Sequence, residues 1–200
     1  MSILDNAYVR NFVRRLVTLP LEPGYYNRYI KFIKSELQLS DSESLLDMGC
    51  GTGRFSGVTD NYTGIDVNPQ FTEYAKKKYN KNFLPMSVSK LDFKNKSFDK
   101  TVILETLHHV GDDTFLKALK EAKRVTRKLI LIAEPIKQSK RNLLGRALIA
   151  NDIGKFVRPI EGYLNLISTE LNVKEYKYFR VGVTERVLIV CPIKLLDKPE

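Results

Sequence analysis

The sequence predicts an α/β fold, with a doubly wound, mostly parallel sheet of seven strands, an antiparallel C-terminal hairpin and N-terminal helices. Three observations predict it. Between residues 44 and 134, short apolar runs alternate with segments of helical spacing, which is typical of parallel strands joined by crossover helices. The last two apolar runs have no helix between them, so they are expected to form an antiparallel edge. The first run leads directly into a glycine-rich turn, as in α/β sheets that bind ligands at their strand ends.

Each predicted strand is a short apolar run bounded by polar or turn-forming residues. The predicted strands cover residues 44–48, 62–67, 83–88, 98–105, 129–133, 173–181 and 185–193. The predicted helices, which carry apolar residues at helical spacing, cover residues 3–19, 25–39, 68–79, 112–125, 139–156 and 163–171. Asn68 and Pro69 form a favourable helix start, with a capping residue and then proline at the first helical position.

The chain has the length of about one domain, and it contains no flexible linker or internal repeat. We therefore expect one domain over residues 1–200, with an N-terminal helical cap over 1–40 and a helical insert or lid over 136–160. The 33 basic and 23 acidic residues give a net charge of +10. This charge is compatible with nucleic acid, an anionic membrane surface or an acidic small molecule as a partner, and equally with a lysine-rich solvated surface.

Three features predict a cytoplasmic protein. The two cysteines, Cys50 and Cys191, are far apart and are expected to be free thiols, as in a reducing compartment. No apolar stretch reaches the ~18 residues of a membrane span. The first residues carry acidic and arginine side chains within their apolar pattern, which is unlike a signal peptide.

The segment Asp47-Met48-Gly49-Cys50-Gly51-Thr52-Gly53 is the most informative part of the sequence. Clustered glycines after a strand allow a sharp turn and a close approach of the backbone to a ligand. The dinucleotide pattern GxGxxG fails because Arg54 stands at its sixth position. An acid before the glycines repels a pyrophosphate and suits a ligand that carries a positive amino group.

Asp66 closes the second predicted strand, 19 residues after Asp47. A carboxylate at this place can accept hydrogen bonds from both hydroxyls of a ribose, and Val67 beside it can lie against an adenine ring. The alternative is that Asp66 is only an acid favoured near the N-terminus of the next helix.

Together these segments resemble class I S-adenosylmethionine-dependent methyltransferases. LLDMGCGTGRFS is similar to the first motif of that family and YTGIDVNPQF to the second. LDFKNKSFDKTVILETLHHV resembles the third and fourth motifs of members with small-molecule and lipid acceptors, and RVTRKLILIAEP resembles the fifth strand with its lead-in. The resemblance covers residues 44–135 by motif and 163–193 by element order.

The resemblance implies S-adenosylmethionine as cofactor and assigns its contacts. In the family, the opening acid and the glycine loop hold the methionine part, the acid after the second strand holds the ribose, two residues after the third strand meet the adenine, and the end of the fourth strand faces the amino group. In this chain the implied residues are Asp47, Gly49, Cys50, Gly51, Gly53, Asp66, Val67, Ser87, Val88, Leu104 and Glu105. Ser87 stands where the family often has Asp, and the usual PGG before the fifth strand is absent.

The only histidines, His108 and His109, follow the fourth predicted strand at the rim where the methyl group is expected. Either can serve as a general base for an acceptor that must lose a proton, or both can be structural residues of the turn. Glu105 and Glu134 end neighbouring strands, and each can bind the acceptor or only orient the loop. No metal site is predicted, because adjacent histidines do not have chelate spacing.

The sequence favours a small-molecule, lipid or glycan-precursor acceptor, methylated on oxygen. Aromatic residues of the N-terminal helices and basic residues of the insert are expected to bind it: Tyr8, Tyr25, Tyr26, Tyr29, Arg141, Arg146, Lys155 and Arg158. A nucleic-acid methyltransferase, most plausibly acting on RNA, is an alternative that the net charge supports, although the motif of amino-directed nucleic-acid enzymes is absent after the fourth strand. A further alternative is a non-catalytic module that binds the same cofactor.

Overall fold

A computed structural model of the chain describes residues 24–150 and 155–193, apart from the side chains of Tyr25, Leu148 and Ala150. The helix predicted over 3–19, with Tyr8, lies outside these residues. The strands are β1 (Leu45–Met48), β2 (Tyr62–Asp66), β3 (Asn82–Pro85), β4 (Phe98–Leu104), β5 (Thr126–Pro135), β6 (Glu175–Val181) and β7 (Thr184–Pro192). The helices are α1 (Tyr25–Leu37), α2 (Pro69–Tyr79), α3 (Asp112–Val125), α4 (Leu143–Ala150) and α5 (Ile160–Ser168).

The described strands form one seven-stranded sheet in the order β3-β2-β1-β4-β5-β7-β6. The first five strands pair in parallel, whereas β7 is antiparallel to both β5 and β6. This confirms the predicted doubly wound sheet with its antiparallel C-terminal hairpin. The strand order reverses at β1, between β2 and β4, and ligands of open α/β sheets bind at such a reversal.

The sheet is covered by helices on both faces. Because side chains alternate along a strand, Leu46 and Met48 of β1 enter the core beneath α3 and α5, whereas Leu45 enters the core beneath α1 and α2. The same alternation directs the Asp47 side chain to the face of α1. Its position beside the N-terminal helix is therefore a direct result of the strand period.

Several boundaries differ from the predicted ones by up to three residues: β3 ends at Pro85 rather than at 88, and α5 covers Ile160–Ser168 rather than 163–171. Two further differences have identifiable reasons. Strand β5 begins at Thr126 rather than at 129, because Thr126 pairs with Phe98 across a register shift and its hydroxyl is 2.6 Å from the Thr101 hydroxyl. Within the described residues, the helix predicted over 139–156 is α4, which begins at Leu143 rather than at 139. It begins there because the Asn142 side chain accepts from the Gly145 N–H and caps the first turn. Only a 3₁₀ turn, Ser56–Val58, fits between the glycine loop and β2.

A buried lysine fixes the position of α1. The Lys100 ammonium on β4 donates to the carbonyl oxygens of Leu37 and Gln38, both at 2.8 Å, and lies 2.9 Å from the Glu43 carboxylate. Burial alone would raise the pKa of Glu43, but hydrogen bonds from Lys128 and Lys100 lower it to about 2. The lysine thereby binds the free carbonyls at the C-terminus of α1 and holds the helix against the sheet.

None of the helices in the described part of the chain combines the length and apolar composition needed to cross a bilayer.

Candidate cofactor and acceptor cleft

A cleft of about 480 Å³ opens at the carboxyl ends of the parallel strands, where the strand order reverses. This volume lies within the range of small-molecule sites. Eleven of the residues predicted from the sequence line it: Asp47, Gly49, Cys50, Gly51, Asp66, Val67, Ser87, Val88, Leu104, Glu105 and His109. The fold therefore brings together residues that are spread over more than 60 positions of the sequence.

Of the residues predicted for the cofactor and for catalysis, Gly53 and His108 are not in the lining. Gly53 is buried at a φ of +76°, and a Cβ there would lie 2.7 Å from the Phe83 ring and 2.8 Å from the Ala75 Cβ. It allows the loop to pack on α2 and β3. The side chain of His108 is buried on the far side of the turn that carries it.

The glycine loop is held against β2 by its backbone. The N–H groups of Gly49 and Cys50 both donate to the Ile65 carbonyl at 2.8 Å. Gly49 has a φ of +82°, and a Cβ added to it would lie 2.2 Å from the Thr106 Oγ1. Gly51 also has a positive φ, +54°, but a Cβ there would meet no atom of the described residues within 4 Å. The two glycines thus differ in the room around them.

This difference predicts different effects of Gly49→Ala and Gly51→Ala. Both substitutions place alanine in the left-handed region, which costs about 1 kcal/mol of stability. Gly49→Ala also forces Thr106 away from the loop, so we expect it to lower the free energy of unfolding by about 2 kcal/mol more than Gly51→Ala does. Urea denaturation of the two variants measures the difference, and equal losses would contradict the close contact with Thr106.

Asp47 is a buried carboxylate with one strong hydrogen bond. It is 2% exposed and accepts from the Tyr62 hydroxyl at 2.6 Å. Burial raises the pKa of Asp47 to about 7; the Tyr62 hydrogen bond opposes this shift and the negative charge of Asp66 adds to it. A cation in the cleft would remove the cost of ionising this carboxyl.

Asp66 is oriented by backbone groups on both sides. One carboxylate oxygen accepts from the Gly51 N–H and the other from the Asn68 N–H, each at 2.9 Å. The cap of α2 is supplied by the Asn68 side chain, which accepts from the Gln70 N–H. The Asp66 carboxylate is therefore tied to the glycine loop and lines the cleft.

The residues predicted to meet an adenine ring lie around one end of the cleft. The Val67 side chain is 75% exposed, whereas Val88 is buried in the core. The Ser87 hydroxyl is 2.9 Å from the Ser89 hydroxyl. The Val67 side chain is exposed apolar surface within the cleft, so a flat apolar group of a ligand can pack against it.

Glu134 organises the turn after β4. It is fully buried, and one carboxylate oxygen accepts from the N–H groups of Thr106 and Leu107 at 2.9 and 2.8 Å. The other oxygen lies 2.6 Å from the His108 Nδ1. Of the two roles that the sequence left open for Glu134, the structure has it orienting the loop.

His109 lies on the cleft side of the same turn. The centroid of its ring is 4.0 Å from that of His108, and the backbone N–H of His109 donates to the Thr106 carbonyl at 3.1 Å. The pair is thus divided into one buried histidine bound to Glu134 and one that lines the cleft. Only His109 is placed to reach a ligand.

Glu105, which was predicted to lie at the site, forms an ion pair with Arg186, which was not. Glu105 has a φ of +54°, and its carboxylate accepts from the Arg186 Nε at 2.7 Å and Nη2 at 3.2 Å. A non-glycine residue in the left-handed region persists where surrounding contacts enforce it, often at functional sites. Arg186 lies on β7, 81 residues away, and carries no local signal.

The wall opposite the strands is aromatic and comes from α1. Tyr26 and Tyr29 line the cleft, and the Arg54 guanidinium lies 3.4 Å from the centre of the Tyr26 ring. The Tyr29 hydroxyl is buried and has no hydrogen-bond partner within residues 24–150 and 155–193. Burial and the nearby Glu105 charge raise the pKa of Tyr29 well above its ordinary value, so its hydroxyl remains a donor.

The basic residues predicted for the acceptor are elsewhere. Arg141, Arg146, Lys155 and Arg158 are not in the lining of the cleft. The guanidinium of Arg158 donates to the carbonyls of Leu107 and Val110 and to Asp112, so it fastens the insert to the turn that carries His109. Of the four, Arg158 therefore has a structural role.

Comparison with known proteins finds relatives of the part of the chain that carries the glycine loop and the turn after β4. A family model described as a methyltransferase domain matches residues 46–130. An uncharacterised protein of Methanocaldococcus jannaschii is 34% identical over 105 residues, which are 50% of this chain and 41% of that protein. The chain therefore spans less than half the length of that relative. A ubiquinone biosynthesis O-methyltransferase of Rickettsia bellii is 27% identical over 179 residues, covering 78% of this chain and 73% of that protein.

Among solved structures, an S-adenosylmethionine-dependent methyltransferase of Aquifex aeolicus superposes with a TM-score of 0.65 at 20% identity, covering 82% of this chain and 89% of that one. That likeness concerns the fold. Together with the family model, it shows that residues 46–130 are similar to a methyltransferase domain and that the described sheet has the fold of such enzymes.

Proposed function

We propose that this protein is an S-adenosylmethionine-dependent methyltransferase that methylates a hydroxyl group of a small acceptor. The observation that carries the proposal is one cleft lined by two differently held acids, Asp47 and Asp66, and by a histidine, His109. The acids suit the cofactor, and the histidine suits an acceptor that loses a proton.

The residues present fit the cofactor. Asp47 is a buried acid with a raised pKa, which an ammonium group would stabilise in its charged form. Tyr29 offers a buried, unpartnered donor, which a carboxylate oxygen would satisfy. One acid and one donor in the same cleft complement the two charged groups of an amino acid, such as the methionine part of the cofactor.

At the other end of the cleft, the proposal assigns Asp66 to the ribose hydroxyls. Val67 and Val88 are assigned to the faces of the adenine, and Ser87 to its amino group. A serine hydroxyl makes a weaker hydrogen bond than the carboxylate common at that place in the family, so we expect Ser87 to contribute little to affinity.

The bound cofactor supplies a methyl group that is already activated by a sulfonium. The chain then needs to hold the acceptor oxygen in line with that methyl group and to remove its proton. We assign the removal of this proton to His109, whose ring contacts that of His108 at a tilt of 39°. Glu134 holds His108 and the backbone of the turn and so acts as a positioning residue.

A small hydroxylated acceptor is supported by the Rickettsia relative, whose name denotes an O-methyltransferase of ubiquinone biosynthesis. The aromatic wall of Tyr26 and Tyr29 is compatible with a planar acceptor, because aromatic rings pack favourably on one another. Phenols, catechols and quinols are therefore the first acceptor classes to test, with 3,4-dihydroxybenzoate as a simple probe.

Calorimetric titration with S-adenosylmethionine and S-adenosylhomocysteine tests the cofactor part of the proposal. We expect saturable binding of both compounds. The absence of binding of either at millimolar concentration would reject the assigned cofactor.

The variant His109→Gln tests the chemical part. With an acceptor that is turned over, we expect a loss of about 100-fold or more in kcat, because a general base contributes at least that much. Affinity for the cofactor should be unchanged. Val110→Ala, which alters a neighbouring lining residue without a titratable group, is the matched control. Normal turnover of His109→Gln would remove His109 from the mechanism.

A further inference from the structure

The insert after β5 presents apolar side chains to solvent close to the mouth of the cleft. Leu143 and Leu144 at the start of α4 are 70% and 50% exposed, and Phe156 is 42% exposed. The family contacts and the proposed chemistry use none of the three. Large apolar side chains exposed together usually mark a surface that binds a partner or a membrane.

The position of α4 is set by polar contacts on its inner side. The Asn142 amide donates to the Val183 carbonyl at 2.7 Å, and the Gln138 side chain accepts from the Glu185 N–H at 2.7 Å. Both contacts reach the β6–β7 turn. Because Arg186 pairs with Pro135 at the end of β5, this turn lies at the edge of the sheet where the cleft opens.

Phe156 reaches the same edge by another route. Its N–H donates to the His108 carbonyl at 3.0 Å, next to the residue assigned as the base. The exposed apolar side chains thus lie on the side of the molecule through which an acceptor would approach His109.

The segment that carries these side chains is rich in basic residues. Residues 137–158 contain six basic and one acidic residue, which is half of the net +10 of the chain. Arg158 is bound within the fold, but the other five basic side chains are exposed: Lys137, Lys140, Arg141, Arg146 and Lys155. A second copy of the same surface would meet like charge, and a nucleic acid would leave the leucines in water. An anionic bilayer satisfies both components, since apolar side chains enter the acyl boundary while cations remain among the headgroups.

We propose that α4 and Phe156 dock on an anionic lipid bilayer, with Leu143 and Leu144 inserted and the surrounding cations at the headgroups. Docking in this orientation turns the mouth of the cleft toward the membrane. The inference concerns binding alone and does not depend on methyl transfer.

Sedimentation of the full chain with sucrose-loaded vesicles tests the proposal without any assay of activity. The vesicles consist of phosphatidylcholine alone or with one quarter phosphatidylglycerol. We expect binding to the mixed vesicles, weak binding to pure phosphatidylcholine, and a decrease with added salt.

Two double variants separate the apolar and the charged parts. Leu143→Gln with Leu144→Gln, and Arg141→Gln with Arg146→Gln, should each lower the partition coefficient by about tenfold. Matched controls remove equivalent exposed groups elsewhere: Tyr176→Gln with Tyr178→Gln on β6, and Lys76→Gln with Lys90→Gln. The controls should bind as the wild type does. Circular dichroism verifies that each variant is folded.

Three outcomes would overturn the proposal. The first is failure of the wild type to bind the mixed vesicles. The second is an equal loss in the lysine control and in the arginine variant, which would indicate general charge attraction. The third is full binding by the leucine variant. The wild type can fail to bind vesicles and instead self-associate or bind RNA. If the leucine variant then abolishes self-association, the surface binds a second copy of the chain; if the arginine variant abolishes RNA binding, it binds RNA.

Discussion

Replacing Asp47 by Asn is expected to weaken cofactor binding strongly and, at the same time, to stabilise the folded protein at neutral and alkaline pH. The cost of the native residue arises from its burial, which raises the pKa of Asp47 from 3.8 to about 7. Asn can still accept from the Tyr62 hydroxyl but carries no charge. Loss of a buried partner for an ammonium group typically costs 2–5 kcal/mol, so we expect affinity to fall by about 100-fold or more.

The stability change depends on pH in a defined direction. An acid whose pKa is raised by folding favours the folded state at low pH, and this contribution is lost as pH rises from 3.8 through about 7. Asn has no such loss. We therefore expect the difference in unfolding free energy between the variant and the wild type to grow in favour of the variant by about 2 kcal/mol as the pH rises from 5 to 8.

Urea denaturation at several pH values measures this gain, and calorimetry measures the affinity. Asp92→Asn, a substitution at an exposed acid, is the control and should alter neither quantity. A variant that binds the cofactor normally would contradict the assigned role of Asp47. A variant whose relative stability does not change with pH would contradict the raised pKa.

The second large effect is expected from Glu134→Ala. The substitution removes the acceptor for the N–H groups of Thr106 and Leu107 and for the His108 ring, all of them at or near the buried turn. Each buried donor left without an acceptor costs about 1–3 kcal/mol, so we expect the substitution to lower the free energy of unfolding by about 3 kcal/mol or more. Turnover should fall as well, since the turn carries His109.

A double-mutant cycle with His108→Ala distinguishes this pairing from a loss of packing. If the carboxylate and the imidazole stabilise each other, the double variant should be more stable than the sum of the two losses predicts, by at least about 1 kcal/mol. Additive losses would reject the pairing. Glu73→Ala, at a glutamate exposed on α2, is the control and should leave the unfolding midpoint unchanged.

Much of the fold could be predicted because its signals are local. The central strands β1 and β4 are short, almost fully buried apolar runs, and such runs are typical of buried parallel strands. The start of β5 was wrong by three residues because Thr126, Arg127 and Lys128 are polar. They extend the strand only through contacts with distant groups, such as the Thr101 hydroxyl and the Asp99 carboxylate.

The meeting of the two acids in the cleft could be predicted for a related reason. Asp47 lies in β1 and Asp66 is the last residue of β2, and the carboxyl ends of neighbouring parallel strands meet at one edge of the sheet. Tyr29 lines the cleft as predicted, yet its unpartnered hydroxyl could not be foreseen. The environment of this hydroxyl depends on the packing of α1, which the Lys100 side chain of β4 holds in place through the Leu37 carbonyl. Arg186 reaches Glu105 only because β7 returns antiparallel beside β5.

The sequence by itself determined the order of strands and helices, the sharp glycine turn and the acids at the strand ends, since each depends on neighbouring residues. Only the tertiary structure decided which histidine faces the cleft. Adjacent residues on a 3₁₀ turn point in different directions, and nothing local chooses between them. The choice comes from Glu134, whose carboxylate at the end of β5 binds His108 from 26 residues away and leaves His109 at the rim.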